Sequence, residues 1–418
     1  MSGPPEHHAL SRGRERLTLL ALAAVQFTHI LDFMIMMPLG AQLMRVFQIT
    51  PAQFSHLVAA YGLAAGVSGL AGGFVLDRFD RKRSLLVLYA GFGLATFACG
   101  FAPTHHALLA ARLAAGAFGG LSGSVVTAMV GDVIPPARRG QAMGLVMAAF
   151  PVASVLGVPA GLILASKFGW HAAFYFLGAC SLLILLIGSV ALPHLRTAVR
   201  DNHPFRQMRE IVTHGIHLRA FALSAVLVMA GGCLIPFLAP SLVANLGLSE
   251  TDLPKVYAAG GLATLVSTPL IGRLSDRFDR FYLLSLITTV AVGVVLVLTN
   301  LGPSSLAFAC VIMAFFMVTM SGRFAPTMAM VSNAVAARYR GGFMSVNSAL
   351  QQTASALGNM LAGVFVSIGA GGHLAGYPVL GLISVGFFIL TVVLAYQLRA
   401  VAPHVARTVH AAPTKAAA

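Results

Sequence analysis

The chain has 418 residues, of which 58% are hydrophobic and only 9% are Asp, Glu, Lys or Arg. An ordinary soluble domain carries about 25% charged residues, so this composition excludes a water-soluble globular protein of this size. The formal net charge is +15, but the basic residues are dispersed along the chain. They do not gather into the single basic face of a nucleic-acid-binding protein, and we expect no nucleic-acid partner.

Apolar segments close to the ~20 residues that a helix needs to cross a bilayer follow one another along the chain. In chain order, spans 1 to 12 are predicted at 17–43, 54–76, 84–102, 106–130, 141–165, 171–192, 219–244, 254–275, 281–300, 304–334, 343–369 and 377–398. The sequence therefore predicts an all-α integral membrane protein of twelve transmembrane helices. Its halves, 17–192 and 219–398, are joined by a polar central loop, 193–218.

The basic residues favour one side of the membrane. If the N-terminus is cytoplasmic, most of the 27 Lys and Arg residues lie in cytoplasmic loops, and the opposite loops carry only Arg45, Lys167 and Lys255. This distribution follows the positive-inside rule. We therefore expect both terminal tails, 1–16 and 399–418, in the cytoplasm.

The two halves share sequence motifs. The run D-R-F-D-R after span 2, at 77–81, recurs after span 8, at 276–280. A second set of matches follows spans 4 and 10, where Arg139-Gly140 aligns with Arg340-Gly341. Internal repeats of this kind are typical of transporters in which two bundles rock around a central site.

These motifs resemble the major facilitator superfamily, whose loop after the second helix reads G-x-L-x-D-R-x-G-R-R/K, with a weaker copy after the eighth. The matching positions are Gly73, Asp77, Arg78, Arg81 and Lys82 in the first loop, and Gly272, Asp276, Arg277 and Arg280 in the second. Asp80 and Asp279 stand where the family usually has glycine. The resemblance implies two pseudo-symmetric six-helix bundles facing a central cavity.

The charged loop after span 2 is interpreted as a conformational latch. The resemblance implies that Asp77 faces the start of span 11 and that Arg81 pairs with Asp132, the acid that ends span 4. Such contacts would hold the cytoplasmic side shut and break when it opens. The alternative is a solvated loop whose charges only set the topology.

Three charged residues lie inside predicted spans and away from the span ends: Asp32, Arg112 and Arg323. A charge at the bilayer centre costs about 2.5–3.5 kcal/mol on insertion scales, so each needs a reason. Asp32 and Arg112 have similar predicted depths below the outer face, and the resemblance places spans 1 and 4 on the cavity, so the two could meet. A conformational change that separates them would move a proton on or off Asp32. The alternative is a permanent ion pair between two helices.

Arg323 is expected in the cytoplasmic half of span 10. We expect its side chain to snorkel toward water or to join the latch. A place on the cavity wall is the alternative.

Span 1 carries a mixed polar and aromatic stripe around Asp32. At about 100° per residue, one arc of the helix holds Gln26, His29, Asp32, Phe33 and Met36. This stripe is a candidate cavity wall, and His29 is a second candidate proton carrier. Helix packing accounts equally well for Phe33 and Met36.

Two further motifs concern spans 5 and 11. Span 5 carries Gly157, Pro159 and Gly161, which resemble the Gly/Pro-rich motif of exporters in the superfamily. Asn347 and Gln351 of span 11 are candidate substrate contacts, with hydrogen bonding between helices as the alternative.

The function predicted from these features is proton-coupled export of a small molecule, such as a drug or a sugar-like metabolite, by alternating access. A proton-coupled importer or an uncoupled facilitator is the alternative. The chain lacks H-E-x-x-H, G-x-S-x-G and G-x-x-x-x-G-K-[ST] motifs, so we expect neither an enzyme nor ATP hydrolysis. We expect no cofactor and no metal site, with the proton gradient as the energy source. The expected setting is the inner membrane of a bacterium, with the protein working as a monomer.

Overall fold

The computed structural model describes residues 11–75, 79–135, 138–193, 204–336 and 339–406, and these are almost entirely helical. Span 1 is the helix Arg12–Ile35, which continues after a turn as the short helix Gly40–Phe47. Spans 2, 3, 4 and 6 are single helices, Pro51–Val75, Arg81–Gly100, His105–Val133 and His171–Ala191. Span 5 is broken into Arg139–Met147, Ala149–Val152, a π-helical segment Ala153–Gly157 and Val158–Phe168.

The second half repeats this plan. Spans 8, 9, 11 and 12 are the helices Leu253–Arg277, Arg280–Thr299, Arg340–Phe365 and Tyr377–Val401. Span 7 is divided into Gly215–Gly232 and Ile235–Ala244, and span 10 into Leu306–Gly322 and Phe324–Asn333. Between spans 11 and 12, a two-stranded antiparallel ribbon pairs β1 (Ser367–Ile368) with β2 (Leu374–Ala375).

Ten helices of the described chain are long and apolar enough to cross a membrane. Spans 8 and 11 are equally long but less apolar. Each packs against the opposite bundle, span 8 on span 5 and span 11 on span 2. Part of their surface therefore faces protein rather than lipid, and this explains why they tolerate more polar residues. The protein is a multi-pass membrane protein of about twelve spans, as the sequence predicts.

The second aspartate of each repeated motif begins a helix. Asp80 accepts a hydrogen bond from the backbone N–H of Arg83 at 2.9 Å, and Asp279 accepts one from Phe281 at 2.9 Å. Both are N-caps, of spans 3 and 9 respectively, and satisfy backbone donors that the first helical turn leaves free. This shared role gives a structural reason for aspartate at both positions.

Two segments that the sequence predicts as a loop and a tail are instead ordered and packed against the second bundle. Residues Pro204–Thr213, predicted as part of the central loop, form a helix whose Ile211 is 1% exposed. Beyond span 12, Val405 and Ala406 are fully buried in the same apolar cluster as Ile211. Burial of these few apolar side chains against the second bundle orders both segments.

The two bundles touch at one end and diverge at the other. At the closed end, Phe54 of span 2 packs edge-on against Phe237 of span 7, with ring centroids 6.0 Å apart. Arg45 and Glu250 form an ion pair of 2.9 Å between the bundles. At the opposite end, a Cβ built at Gly140, Gly144, Gly272 or Gly341 would meet nothing within 4 Å. The open end carries the loops predicted to be cytoplasmic.

At present the end of the protein that contains the Arg45–Glu250 pair is closed. We expect Glu250→Gln to shift the protein toward a state in which this end is open. The Arg45–Glu250 contact is an ion pair without an aligned hydrogen bond, and partly exposed pairs contribute about 0.2–1 kcal/mol. The population ratio should therefore change by up to about fivefold. Spin labels at His106 and Ala307, exposed residues in the first turns of spans 4 and 10, would report the longer distance. Asp252→Asn, which loses only a local pair with Lys255, is the control, and identical distance distributions in both variants would rule out a gating role.

Candidate functional site

Asp32 and Arg112 form an ion pair inside the first bundle. Nη1 of Arg112 lies 2.6 Å from Oδ2 of Asp32 and also donates to the Asp32 backbone carbonyl at 3.2 Å. Thr96 of span 3 donates its hydroxyl to Oδ1 of Asp32 at 3.4 Å. Both charged side chains have 0% exposure. The structure therefore brings together the two charges that the sequence predicts to lie at similar depth.

The ring of Tyr61 in span 2 covers one face of the Arg112 guanidinium. The Cζ of Arg112 lies 4.7 Å from the ring centroid, a distance at which an arginine is attracted by an aromatic face. Nε and Nη2 of Arg112 have no hydrogen-bond partner in the described chain. Sequence analysis missed Tyr61 and Thr96, because single Tyr and Thr residues in apolar spans carry no pattern that distinguishes them from packing residues.

His29 lies one helical turn from Asp32, in an aromatic pocket. Its Nε2 is 3.0 Å from the hydroxyl of Ser122, and its ring packs edge-on against Phe92 at 4.5 Å and Tyr89 at 5.7 Å. Nδ1 has no partner in the described chain. The side chain is therefore held close to the ion pair with one free ring nitrogen, and its part in proton transfer stays a prediction.

The residues of the predicted stripe on span 1 differ in how deeply they are buried. His29, Asp32 and Met36 are 5%, 0% and 0% exposed, whereas Gln26 and Phe33 are half-buried. His29 and Asp32 point into the bundle because spans 3 and 4 cover that side of the helix, and Met36 is buried in an apolar cluster just beyond the end of the helix. In the open state described, Gln26 and Phe33 therefore remain as the accessible candidates for a cavity wall.

The two span 11 candidates also differ. Asn347 is 1% exposed and its Oδ1 has no partner in the described chain. Gln351 is half-buried and donates to the Sδ of Met328 at 3.4 Å. Gln351 is thus the more accessible of the two, and its contact with substrate stays a prediction.

Part of the predicted latch is present as a contact. Nε of Arg81 lies 3.2 Å from Oδ2 of Asp132, which joins the start of span 3 to the end of span 4 within one bundle. Lys82 beside it is half-buried. Asp77 and Arg78 lie outside the described residues, and so do the surroundings of Gly73. The predicted approach of Asp77 to span 11 therefore stays a prediction, as does the role of the group as a latch.

The repeated loop in the second bundle makes different contacts. Arg280 donates from Nη1 to the carbonyl of Val405 at 3.1 Å, and Asp279 pairs with Arg399 at 3.0 Å. Asp276 and Arg277 are exposed, and Gly272 faces open space. Asn333, which ends span 10, is the counterpart of Asp132 in the repeat, so the acid that pairs with Arg81 in the first bundle is replaced by an amide in the second.

The Gly/Pro motif of span 5 packs against span 1 beside Asp32. A Cβ at Gly157 would lie 2.8 Å from Leu31, and one at Gly161 would lie 2.7 Å from Ile35. Pro159 has no N–H to donate along the helix, and the π-helical segment Ala153–Gly157 ends two residues before it. Helices with such local breaks are common at functional sites, and this one borders the ion pair.

Arg323 does not snorkel to water, and that expectation is wrong. Arg323 is 2% exposed, and its Cζ lies 4.1 Å from the ring centroid of Phe388 in span 12. Span 10 breaks at Arg323, because Pro326 has no N–H for the carbonyl of Gly322. At this break the side chain packs against Phe388 inside the second bundle.

The Major Facilitator Superfamily model matches this chain twice, over residues 22–228 and 220–417. An uncharacterized MFS-type transporter of Bacillus subtilis, YceJ, is 27% identical over 354 residues, which cover 81% of this chain and 87% of that protein. A probable sugar efflux transporter of Mannheimia succiniciproducens is 22% identical, covering 63% of this chain and 66% of that one.

A solved structure has the same fold over nearly the whole chain. It is a bacterial homolog of the human lysosomal transporter Spinster, in an inward-facing and occupied conformation. The TM-score is 0.76 with 18% identity, over 95% of this chain and 99% of that one. At this identity the likeness concerns the fold alone, and each half of the chain supplies one of its two bundles.

Proposed function

Because the chain belongs to the Major Facilitator Superfamily, we propose that it is a proton-coupled antiporter that exports small organic molecules. The observation that carries this proposal is the Asp32–Arg112 ion pair, fully buried between spans 1 and 4. Relatives named as sugar efflux transporters support the direction of transport. We place the protein in the cytoplasmic membrane of a bacterium, where the proton gradient would drive it.

The pair couples protonation to conformation by simple electrostatics. Asp32 attracts Arg112 only while its carboxylate is charged, so taking up a proton releases the guanidinium from its 2.6 Å contact. Span 4 can then move relative to span 1. In the state described, the pair is formed while the end predicted to be cytoplasmic is open. In the proposed mechanism, the proton is released to the side where an exported substrate would enter.

The helix contacts around the pair would transmit this movement to the bundle interface. Span 5 packs on span 1 through Gly157 and Gly161, and the same span meets span 8 of the opposite bundle. A Cβ at Gly261 of span 8 would lie 2.9 Å from the backbone carbonyl oxygen of Ser154. A shift of span 1 on protonation would therefore be transmitted through span 5, which packs against both span 1 and the second bundle.

We expect Asp32→Asn to lose proton coupling while keeping substrate exchange, because asparagine cannot carry the proton. The wild type and the variant would be reconstituted in liposomes containing a pH-sensitive dye, and a panel of sugars and amphipathic drugs would be added. A compound that moves protons in the wild type should move none in Asp32→Asn, although exchange of the same compound without a pH gradient continues.

The matched control is Asp252→Asn, which removes a carboxylate at the closed end of the protein, outside the ion pair. It should behave as the wild type. Proton movement that persists in Asp32→Asn would remove Asp32 from the coupling role. Exchange without proton movement in the wild type itself would favour the uncoupled facilitator.

A further inference from the structure

Among the described residues of the second bundle, Arg323 is a buried guanidinium whose hydrogen-bonding capacity is largely unused. Arg323 is 2% exposed, and its Nε and Nη1 have no partner among the described residues. Its Nη2 lies 3.0 Å from the Sδ of Met320, and a thioether is only a weak acceptor. The ring of Phe388 covers one face of the group. Most donors of this cation are therefore unpaired in the part of the chain that the structure describes.

No carboxylate of the second bundle neutralises this charge in the described chain. Its acids all lie at or near helix ends: Glu210, Glu250, Asp252, Asp276 and Asp279. In the first bundle, Arg112 has Asp32 as its counterion. A lone buried charge at membrane depth is costly and marks substrate or ion pathways, so Arg323 lacks the structural explanation that Arg112 has.

The surroundings of Arg323 suit the apolar part of a ligand. Span 10 is rich in methionine on both sides of the arginine, and Met317, Met320 and Met328 are half-buried. Methionine side chains are flexible and polarizable, and they adapt to ligands of different shape. The thioether of Met320 is the group nearest to the free donors, and it can swing aside when a stronger acceptor arrives.

We propose that Arg323 binds the anionic group of the substrate, so that the exported molecules are amphipathic organic anions bearing a carboxylate, sulfonate or phosphate. This inference rests on the proposed transport function. Once the Met320 thioether has swung aside, the guanidinium donates from Nε and Nη2 to two oxygens of the anion, which is the geometry that arginine offers to such groups. The side chain of Met320 and the Phe388 ring contact the apolar part.

Matched probes that differ in charge test the proposal. Full-length protein in a neutral detergent would be titrated with benzoate, benzenesulfonate and phenyl phosphate, and with neutral benzamide. The anions should raise the unfolding temperature of the wild type, and benzamide should not. In Arg323→Gln, affinity for the anions should fall about tenfold to a hundredfold, since charge-assisted hydrogen bonds are lost.

The same variant has a second signature. Removing an unpaired buried cation should leave the ligand-free unfolding temperature unchanged or raise it, whereas loss of a structural arginine would lower it. Arg399→Gln, in which a partly exposed arginine loses its pair with Asp279, is the control and should bind the anions as the wild type does. An anion effect that is no larger in the wild type than in Arg323→Gln overturns the proposal.

Two further arms identify the source of the anion and separate this proposal from the transport mechanism. If vesicles of phosphatidylglycerol stabilise the wild type through Arg323 while the free anions do not, the ligand is a lipid headgroup and the substrate assignment is overturned. Binding is measured without a pH gradient, so Arg323-dependent binding without proton movement supports this inference while contradicting proton coupling. Proton movement that Arg323→Gln leaves intact for every substrate contradicts this inference alone.

Discussion

Replacing Arg112 by glutamine should markedly lower the unfolding temperature, and adding Asp32→Asn in the same chain should restore most of the loss. The single change leaves the Asp32 carboxylate buried at 0% exposure without its counterion. Removing one partner of a buried ion pair costs about 3–5 kcal/mol, whereas a pair of neutral amides can hydrogen-bond with each other. Asp32→Asn alone leaves the buried Arg112 without its counterion and should likewise lower the unfolding temperature. Thermal unfolding of the four proteins in detergent measures these differences.

Transport by the same four proteins separates a coupling pair from a permanent structural pair. If Asp32 and Arg112 only hold spans 1 and 4 together, the double variant should recover pH-driven transport along with its stability. If they couple protons to conformation, it should recover stability alone. Arg399→Gln is again the control, because its partner Asp279 is partly exposed and such pairs contribute about 0–1 kcal/mol.

The sequence reveals the charged pair because charges stand out in apolar spans. Asp32 and Arg112 could be placed at similar depth simply by counting residues along two helices, and the contact between them is present. The repeated D-R-F-D-R motif likewise pointed to two related halves, and each half matches the superfamily model separately. These inferences depend on patterns that are local in the chain.

Features that depend on packing between distant segments could not be predicted. Tyr61 covers Arg112 only because spans 2 and 4 come close together, and nothing in the residues around Tyr61 indicates this. The burial of Arg323 depends on a helix break and on Phe388 in another span. The ion pair between Arg45 and Glu250 joins the short helix Gly40–Phe47 of the first bundle to the segment that precedes span 8 in the second. Which end of the protein is open also depends on how the bundles lean, and several tilts are compatible with one sequence.

Gly116→Ala should impair both folding and proton coupling, because this glycine sets the distance between spans 2 and 4. A Cβ at Gly116 would lie 2.8 Å from the Cα of Tyr61 and 2.9 Å from its carbonyl carbon. Backbone atoms at such distances cannot rotate away, so the two helices must separate, and overpacking of this kind costs about 1–3 kcal/mol. Tyr61 would then move off the guanidinium of Arg112, which it now covers at 4.7 Å.

Gly123→Ala in the same helix is the matched control, because a Cβ there would meet nothing within 4 Å. It should be neutral or stabilise the protein by up to about 1 kcal/mol, since alanine is the better helix former. Unfolding temperatures and pH-driven transport of both variants would be compared with those of the wild type. Equal effects of the two changes would mean that glycine at 116 serves only helix flexibility. A loss confined to Gly116→Ala would instead tie the close approach of span 4 to the environment of the Asp32–Arg112 pair.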